Sequence, residues 1–141
     1  MLTREAVAAA LALAGIRSGA HVLDLTPGAG LTRAARAMAG SAGRVDAVDE
    51  DEVEPPVRYG YALAVRTDQP ATNVVDEAVA ALPALAPYAR VTLGSAGSLV
   101  ALVDQLRAGG WTVLHGTTVP DADPARGHGT ELALAVARGP E

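Results

Sequence analysis

The stretch His21-Val22-Leu23-Asp24-Leu25-Thr26-Pro27-Gly28-Ala29-Gly30 decides how the rest of the chain is read. Val22 to Leu25 is mostly apolar, as in a strand covered on both faces. A turn carrying two glycines follows. Leu31, Ala34, Ala35 and Met38 then recur at helical spacing, which predicts a helix over about 30–39. Gly40 and Gly43 close that helix, and a second strand, Arg44 to Val48, runs into Asp49. In an open parallel sheet, ligands bind beyond the carboxyl ends of the strands, near the point where strand order reverses. The turn after the first strand is that place. Glycines at 28 and 30 let the backbone come close to a ligand, and the free amides opening the helix favour an anionic or carboxylate group. Asp49 lies 19 residues past Gly30, where a carboxylate can accept two hydrogen bonds from a ribose diol. Strand, glycine turn, helix and distal acid together imply a nucleotide-type cofactor.

Working outward, Thr3 is a cap for a helix over about 4–14, with Gly15 as its stop. Asp49 to Pro56 is acidic and ends in two prolines, which rule out a helix through it; it reads as a solvated loop. A third strand is expected over 59–66, where Tyr59 and Tyr61 alternate with Gly60 and should share a face. Asn73 with Asp76 gives a capping-type start to a helix over about 74–82, and Pro83 and Pro87 mark its exit. Arg90 to Leu93 reads as a fourth strand, Gly94 to Ser98 as a turn, and 99–108 as a helix capped by Ser98. A fifth strand covers Trp111 to Leu114 or runs on to Val119, and a sixth covers 131–137 after a polar, turn-rich segment. Alternating strands and helices predict right-handed crossovers and a mainly parallel sheet with helices on both faces. The last two strands have no helix between them and should pair as an antiparallel hairpin.

Composition narrows the function. The chain has 141 residues, which predicts one domain over 1–141, and half of them are hydrophobic. The formal charge is −5 and the eleven basic residues are scattered, which argues against nucleic acid and against a membrane surface. There are four aromatic residues, Tyr59, Tyr61, Tyr88 and Trp111, too few for a base-stacking platform. With no cysteine, disulfides, thiolate metal sites and a cysteine nucleophile are excluded. The apolar run Ala6 to Ile16 follows Glu5 and has no cleavage site behind it, so it reads as an amphipathic helix rather than a leader. A cytoplasmic protein is expected.

The lead-in Gly15 to Leu25 and the loop Asp24 to Gly30 resemble the first helix, first strand and glycine-rich loop of the class I S-adenosylmethionine-dependent methyltransferases. The resemblance runs loosely to the end of the chain, including the terminal hairpin. It implies S-adenosylmethionine as cofactor. It implies a cofactor-binding set of Asp24, Thr26, Gly28, Gly30 and Asp49, in which Asp24 organises the loop and meets the cofactor's amino acid moiety, Gly28 and Gly30 admit the cofactor, and Asp49 holds the ribose. Thr26 stands where the family has its first glycine, and Pro27 follows it. After Asp49 the family continues with a helix, a third strand and another helix, whereas here a short acidic loop leads to Tyr59. Tyr59 to Asp68 is therefore either the family's fourth strand or its third. In either case Asp68 lies at the ligand edge, near substrate in the first alignment and near adenine in the second.

A dinucleotide-dependent oxidoreductase is the nearest rival on such a fold, but Gly28-Ala29-Gly30-Leu31-Thr32-Arg33 lacks the third glycine of its fingerprint. His115 is a candidate acid–base residue at the end of the fifth strand. His21 opens the first strand at the opposite end and reads as structural or solvated. His128, with Asp121 and Asp123, lacks the spacing of a metal motif, so no metal is expected. Gly94 to Ser98 has no lysine and reads as a helix cap rather than a phosphate loop.

These observations predict an α/β fold: a reduced, doubly wound Rossmann-like sheet of about six strands with a C-terminal antiparallel hairpin. The function expected by resemblance is direct methyl transfer to a small-molecule substrate, with Asp68 or His115 accepting a proton. The alternatives are a non-catalytic partner module, and the same fold redirected to non-methylating chemistry. A homodimer or a protein partner is a candidate to cover the shortened region.

Overall fold

The computed structural model describes residues 2–48, 58–120, 122 and 131–140. Asp49, the acidic loop after it, and the group Asp121, Asp123 and His128 lie outside the described residues.

Two helices begin and end where their caps predict. Thr3 caps α1 (Arg4–Ala14) by accepting the Ala6 N–H at 3.2 Å, and Gly15, at φ 61°, ends it. Ser98 caps α4 (Leu99–Ala108), accepting the Ala101 N–H at 3.1 Å. Each cap satisfies an amide that the helix itself cannot, a contribution of about 1 kcal/mol.

The strands are β1 (His21–Asp24), β2 (Arg44–Ala47), β3 (Tyr59–Val65), β4 (Leu85–Ala96), β5 (Thr112–Val119) and β6 (Leu132–Arg138). They form one sheet in the order β2-β1-β3-β4-β6-β5. The pairs β1–β2, β1–β3 and β3–β4 are parallel, while β6 runs antiparallel to both β4 and β5. The C-terminal hairpin is thus present, with β6 inserted between β4 and the edge strand β5.

Helices cover both faces. On one, α1 and α2 (Thr32–Ala39) bury Ala6, Ala10, Leu31 and Ala35 against Val22, Leu63 and Leu134. On the other, α3 (Ala71–Ala81) and α4 bury Val74, Val75, Leu102 and Leu106 against Leu23, Val91 and Leu93. At roughly 1.5–3 kcal/mol per large apolar side chain removed from water, these two layers hold the sheet between them.

Strand order settles which segment is shortened. In a doubly wound sheet of order 3-2-1-4, the third strand stands outside the second and the fourth stands beside the first. Here β3 flanks β1 on the side away from β2, and β2 is the sheet edge among the described residues. Tyr59–Val65 therefore occupies the fourth position, and the omitted strand falls between β2 and β3 in chain order and outside β2 in the sheet.

The structure corrects five local expectations. Helix α2 starts at Thr32 rather than Gly30, because Pro27–Ala29 forms a 3-10 turn and Gly30 leaves it at φ 91°. Helix α3 starts at Ala71 after Pro70, so Asn73 lies in its first turn and donates to the Gln69 side chain at 2.7 Å instead of capping. Strand β4 extends in both directions beyond 90–93. Gly94 to Ala96 continue its pairing with β6, leaving only Gly97 and Ser98 as the turn. A register shift between Tyr59 and Tyr61 sends these residues to opposite faces, Tyr59 toward α3 and α4 and Tyr61 toward α1 and α2. Finally, His115 lies inside β5 rather than at its end.

Candidate cofactor site at the end of strand β1

Strand β1 ends on Asp24, whose side chain is fully buried. A buried carboxylate must be compensated by hydrogen bonds, and this one is. Its Oδ1 accepts the Thr26 N–H at 3.0 Å, and its Oδ2 accepts the Thr32 hydroxyl at 2.5 Å. These two partners stand on either side of the glycine turn, so Asp24 ties the start of the turn to the first residue of α2. Thr26, 2 % exposed, ties the same turn sideways: its Oγ1 accepts the Val65 N–H at 2.9 Å, at the end of β3. The Ala29 carbonyl accepts the Leu2 N–H at 3.1 Å, so the chain's N-terminal segment crosses the turn as well.

The turn so held presents backbone outward. Gly28 is exposed, and a Cβ built on it would meet no atom within 4 Å. Gly30 adopts a left-handed conformation that side-chain-bearing residues rarely tolerate. Leu31, at the N-cap of α2, is buried and supplies no capping hydrogen bond, so the amides of the first turn are not taken up by a side-chain cap. An open shelf over a glycine, beside uncapped amides at a helix's positive end, suits the carboxylate and backbone of an amino-acid-bearing ligand.

The structure brings Asp24, Thr26, Gly28 and Gly30 into one turn. Asp68 is exposed in the bend that follows β3, the strand beside β1, and so lies at the same edge of the sheet. His115 is not brought there. It shares a register row with Asp24, through Leu63, Thr92 and Val136, but four strand spacings away, roughly 19 Å. His21 opens β1 at the far end.

Two features escaped the sequence reading. Thr32 completes the Asp24 tie, and its only signal is a hydroxyl at the first position of the following helix. The second is a polar cluster on β2 and β3, where the Tyr59 hydroxyl donates to Asp46 Oδ2 at 2.5 Å and Arg44 Nε donates to the same oxygen at 2.6 Å. Burial, reinforced by the hydrogen bond to Asp46 and by the carboxylate's charge, pushes the Tyr59 phenol up to about 12, against a smaller opposing pull from Arg44. Among the described residues, no group of three or more His, Asp or Glu is placed to hold a metal ion, and no helix is long and apolar enough to cross a membrane.

No family model and no curated protein matches the chain. Solved structures do. A Burkholderia thailandensis 1,6-didemethyltoxoflavin-N1-methyltransferase, crystallised with its substrate and S-adenosylhomocysteine, superposes with a TM-score of 0.66 at 21% identity, over 98% of this chain and 78% of that one. A Streptococcus pneumoniae protein in complex with S-adenosyl-L-methionine, provisionally assigned as a tRNA methyltransferase, gives 0.63 at 13%, over 100% and 74%. The [4+2]-cyclase SpnF gives 0.58 at 14%, over 96% and 80%. Sheet order, the Asp24-pinned glycine turn and these superpositions agree: the chain has the fold of the class I S-adenosylmethionine-dependent methyltransferases, in a shortened form.

Proposed function

We propose that the chain binds S-adenosylmethionine at the Asp24–Gly30 turn and directs methyl transfer to a small-molecule acceptor in the cytoplasm. The observation that carries this reading is the open shelf at Gly28, set between a turn pinned by Asp24 and the uncapped start of α2. Bound there, S-adenosylmethionine supplies an electrophilic methyl group on a sulfonium centre. Asp24 acts as a positioning residue: it holds the turn and keeps its own oxygens turned inward. The first-turn amides of α2 and the Gly28 backbone take the amino acid end, and Asp49 takes the ribose. Asp68, beside β1 at the same edge, accepts the proton that an alcohol or protonated amine acceptor gives up. His115 has no part, because four strand spacings, roughly 19 Å, separate it from β1. Most of the rate enhancement comes from holding donor and acceptor in line. A small acceptor is favoured over nucleic acid by the −5 charge and the scattered arginines.

Calorimetric titration of S-adenosylmethionine and S-adenosylhomocysteine tests the reading. Wild-type protein should bind both, Asp49→Ala should bind neither, and Gly28→Leu should fold normally yet lose binding, because its side chain meets open space in the protein and occupies the shelf. Absence of binding by wild type at about millimolar ligand, the weak end of useful affinities, overturns the proposal and directs the search to protein partners.

A further inference from the structure

A second concavity lies at the other end of the sheet. A cleft of about 960 Å3 is walled by Arg58 ahead of β3, Leu82 after α3, Leu85 and Tyr88 of β4, Thr112 of β5 and Arg138 of β6. The strand residues among these sit toward the amino-terminal ends of the parallel strands or at the carboxyl end of the antiparallel one, and Leu82 lies in the turn that leads into β4. The length of β3, seven residues or roughly 20 Å, separates the cleft from the glycine turn. Its volume falls in the range of small-molecule sites.

Three observations define what the cleft suits. The first is charge. In a chain of net charge −5, the only charged residues among the described residues lining the cleft are two arginines. Neither is in an ion pair among the described residues. Arg90, the cross-strand neighbour of Arg138, is already committed, donating to the Leu13 and Ala14 carbonyls at the end of α1. The second is apolar wall: Leu82, Leu85, Pro87 and Pro140 line the same space.

The third is Tyr88. It is the one described non-glycine residue with positive φ, at 65°, and it stands 76% exposed on the cleft. The cause is local. Between Leu85, which pairs with Tyr59, and Arg90, which pairs with Tyr61, β4 carries four residues against one on β3, three in excess. This bulge holds Tyr88 out over the cleft instead of letting it pack. Bulges re-aim side chains in this way, and a strained non-glycine residue with no packing gain points to a role in binding.

We propose that this cleft is a second ligand site, for an organic anion with a flat apolar body. Its carboxylate or phosphate pairs with Arg58 and Arg138, whose planar guanidiniums match such groups. Its ring lies on Tyr88 and the proline-lined wall. The site is independent of the methyl-transfer reading and shares no residue with the glycine turn.

Amide NMR titration of the whole protein with phenyl phosphate and with benzoate tests it, with inorganic phosphate and phenol as half-probes. Either aryl anion should move the amides of Tyr88, Ala89, Gly110 and Gly139 and leave Gly28 to Gly30 unmoved, with a dissociation constant of roughly 0.1–1 mM, as expected for a fragment-sized ligand. The two probes together report which acidic group the site prefers. Arg58→Ala with Arg138→Ala should weaken binding about tenfold or more, on the scale of two charge-assisted contacts. Tyr88→Gly should weaken it several-fold while raising the melting temperature by about 2–5 °C, because glycine accepts the left-handed backbone without strain. Tyrosine kept for stability alone would give the opposite thermal shift. No cleft shifts at about 10 mM probe, binding unaffected by the double arginine variant, or inorganic phosphate binding as tightly as phenyl phosphate would overturn the proposal.

Discussion

Tyr59 makes the fold's stability sensitive to alkaline pH in a way that can be isolated cleanly. The chain contains neither cysteine nor lysine, so no thiol and no lysine amine overlaps the ionisation of the buried Tyr59 phenol. Tyr59 is fully buried and donates its phenolic proton to Asp46, which moves its pKa from 10.0 to about 12. Below pH 10 the phenol is protonated in both folded and unfolded chains, and its contribution is fully present. Above pH 10 the unfolded chain has released the proton while the folded one retains it. Stability then falls with rising pH until the folded phenol itself ionises. Two pH units at about 1.4 kcal/mol each give a loss of about 2.7 kcal/mol across this window. For a domain of this size that is roughly 6–10 °C in melting temperature. Tyr59→Phe removes the donor and leaves Asp46 with Arg44. At neutral pH it should cost about 1.5–3 kcal/mol, the value of a hydrogen bond to a charged group. As pH rises through 10 toward 12, the gap between wild type and Tyr59→Phe should close, because only wild type loses this term. Urea unfolding of both proteins along a pH series measures the gap directly. A gap that stays constant across the window would refute the assignment of the shift to the buried Tyr59–Asp46 bond.

The same substitution should have opposite signs at two threonines. Thr26→Val strips the acceptor from the Val65 amide at a buried position and should destabilise by about 1–3 kcal/mol, whereas Thr92→Val, replacing a buried hydroxyl that has no partner, should stabilise by about 1 kcal/mol; denaturant midpoints decide both. Gly43→Ala would set a Cβ 2.6 Å from the Ala39 carbonyl oxygen and 2.7 Å from that of Ala20, and because both are backbone atoms it should cost about 3 kcal/mol, read by thermal melting.

What the sequence made legible was local or periodic. Thr3 and Gly15 bracket α1, and Ser98 starts α4, because a cap is a contact between residues three apart and needs nothing from the rest of the fold. The Asp24–Gly30 turn was legible for the same reason. What stayed hidden depends on distant residues. Gly94 reads as a turn glycine, yet it lies within β4 because a Cβ there would come 2.7 Å from Val65 and 3.0 Å from Leu134, side chains on the two neighbouring strands. Pro87 reads as a terminator, yet β4 passes through it because the bulge leaves that residue unpaired, the setting in which a strand tolerates proline. The same bulge breaks the alternation of Tyr59 and Tyr61. His115 looked like a strand-end residue because its strand's length is set by pairing with β6, which the local sequence does not display.

The shortening bears on one end of the site and not on the other. The glycine turn is held by Asp24 to Thr26 and Thr32, by Thr26 to Val65, and by Leu2 to Ala29. Every one of these ties comes from β1, α2, β3 or the N-terminal segment. None depends on a strand outside β2. At that edge β2 is only four residues long, as edge strands that resist unwanted pairing tend to be, and Asp46 is satisfied by both Arg44 and Tyr59. The part of the fold that would hold the amino acid end of a nucleotide-linked cofactor is therefore self-supporting. If a nucleotide-linked cofactor binds at this turn, its base would be directed toward the edge at β2, where a full-length sheet places its third strand. A ligand gripped firmly at one end and lightly at the other should depend strongly on its amino acid moiety, and that dependence separates a reduced but working cofactor site from a glycine turn kept only for its geometry.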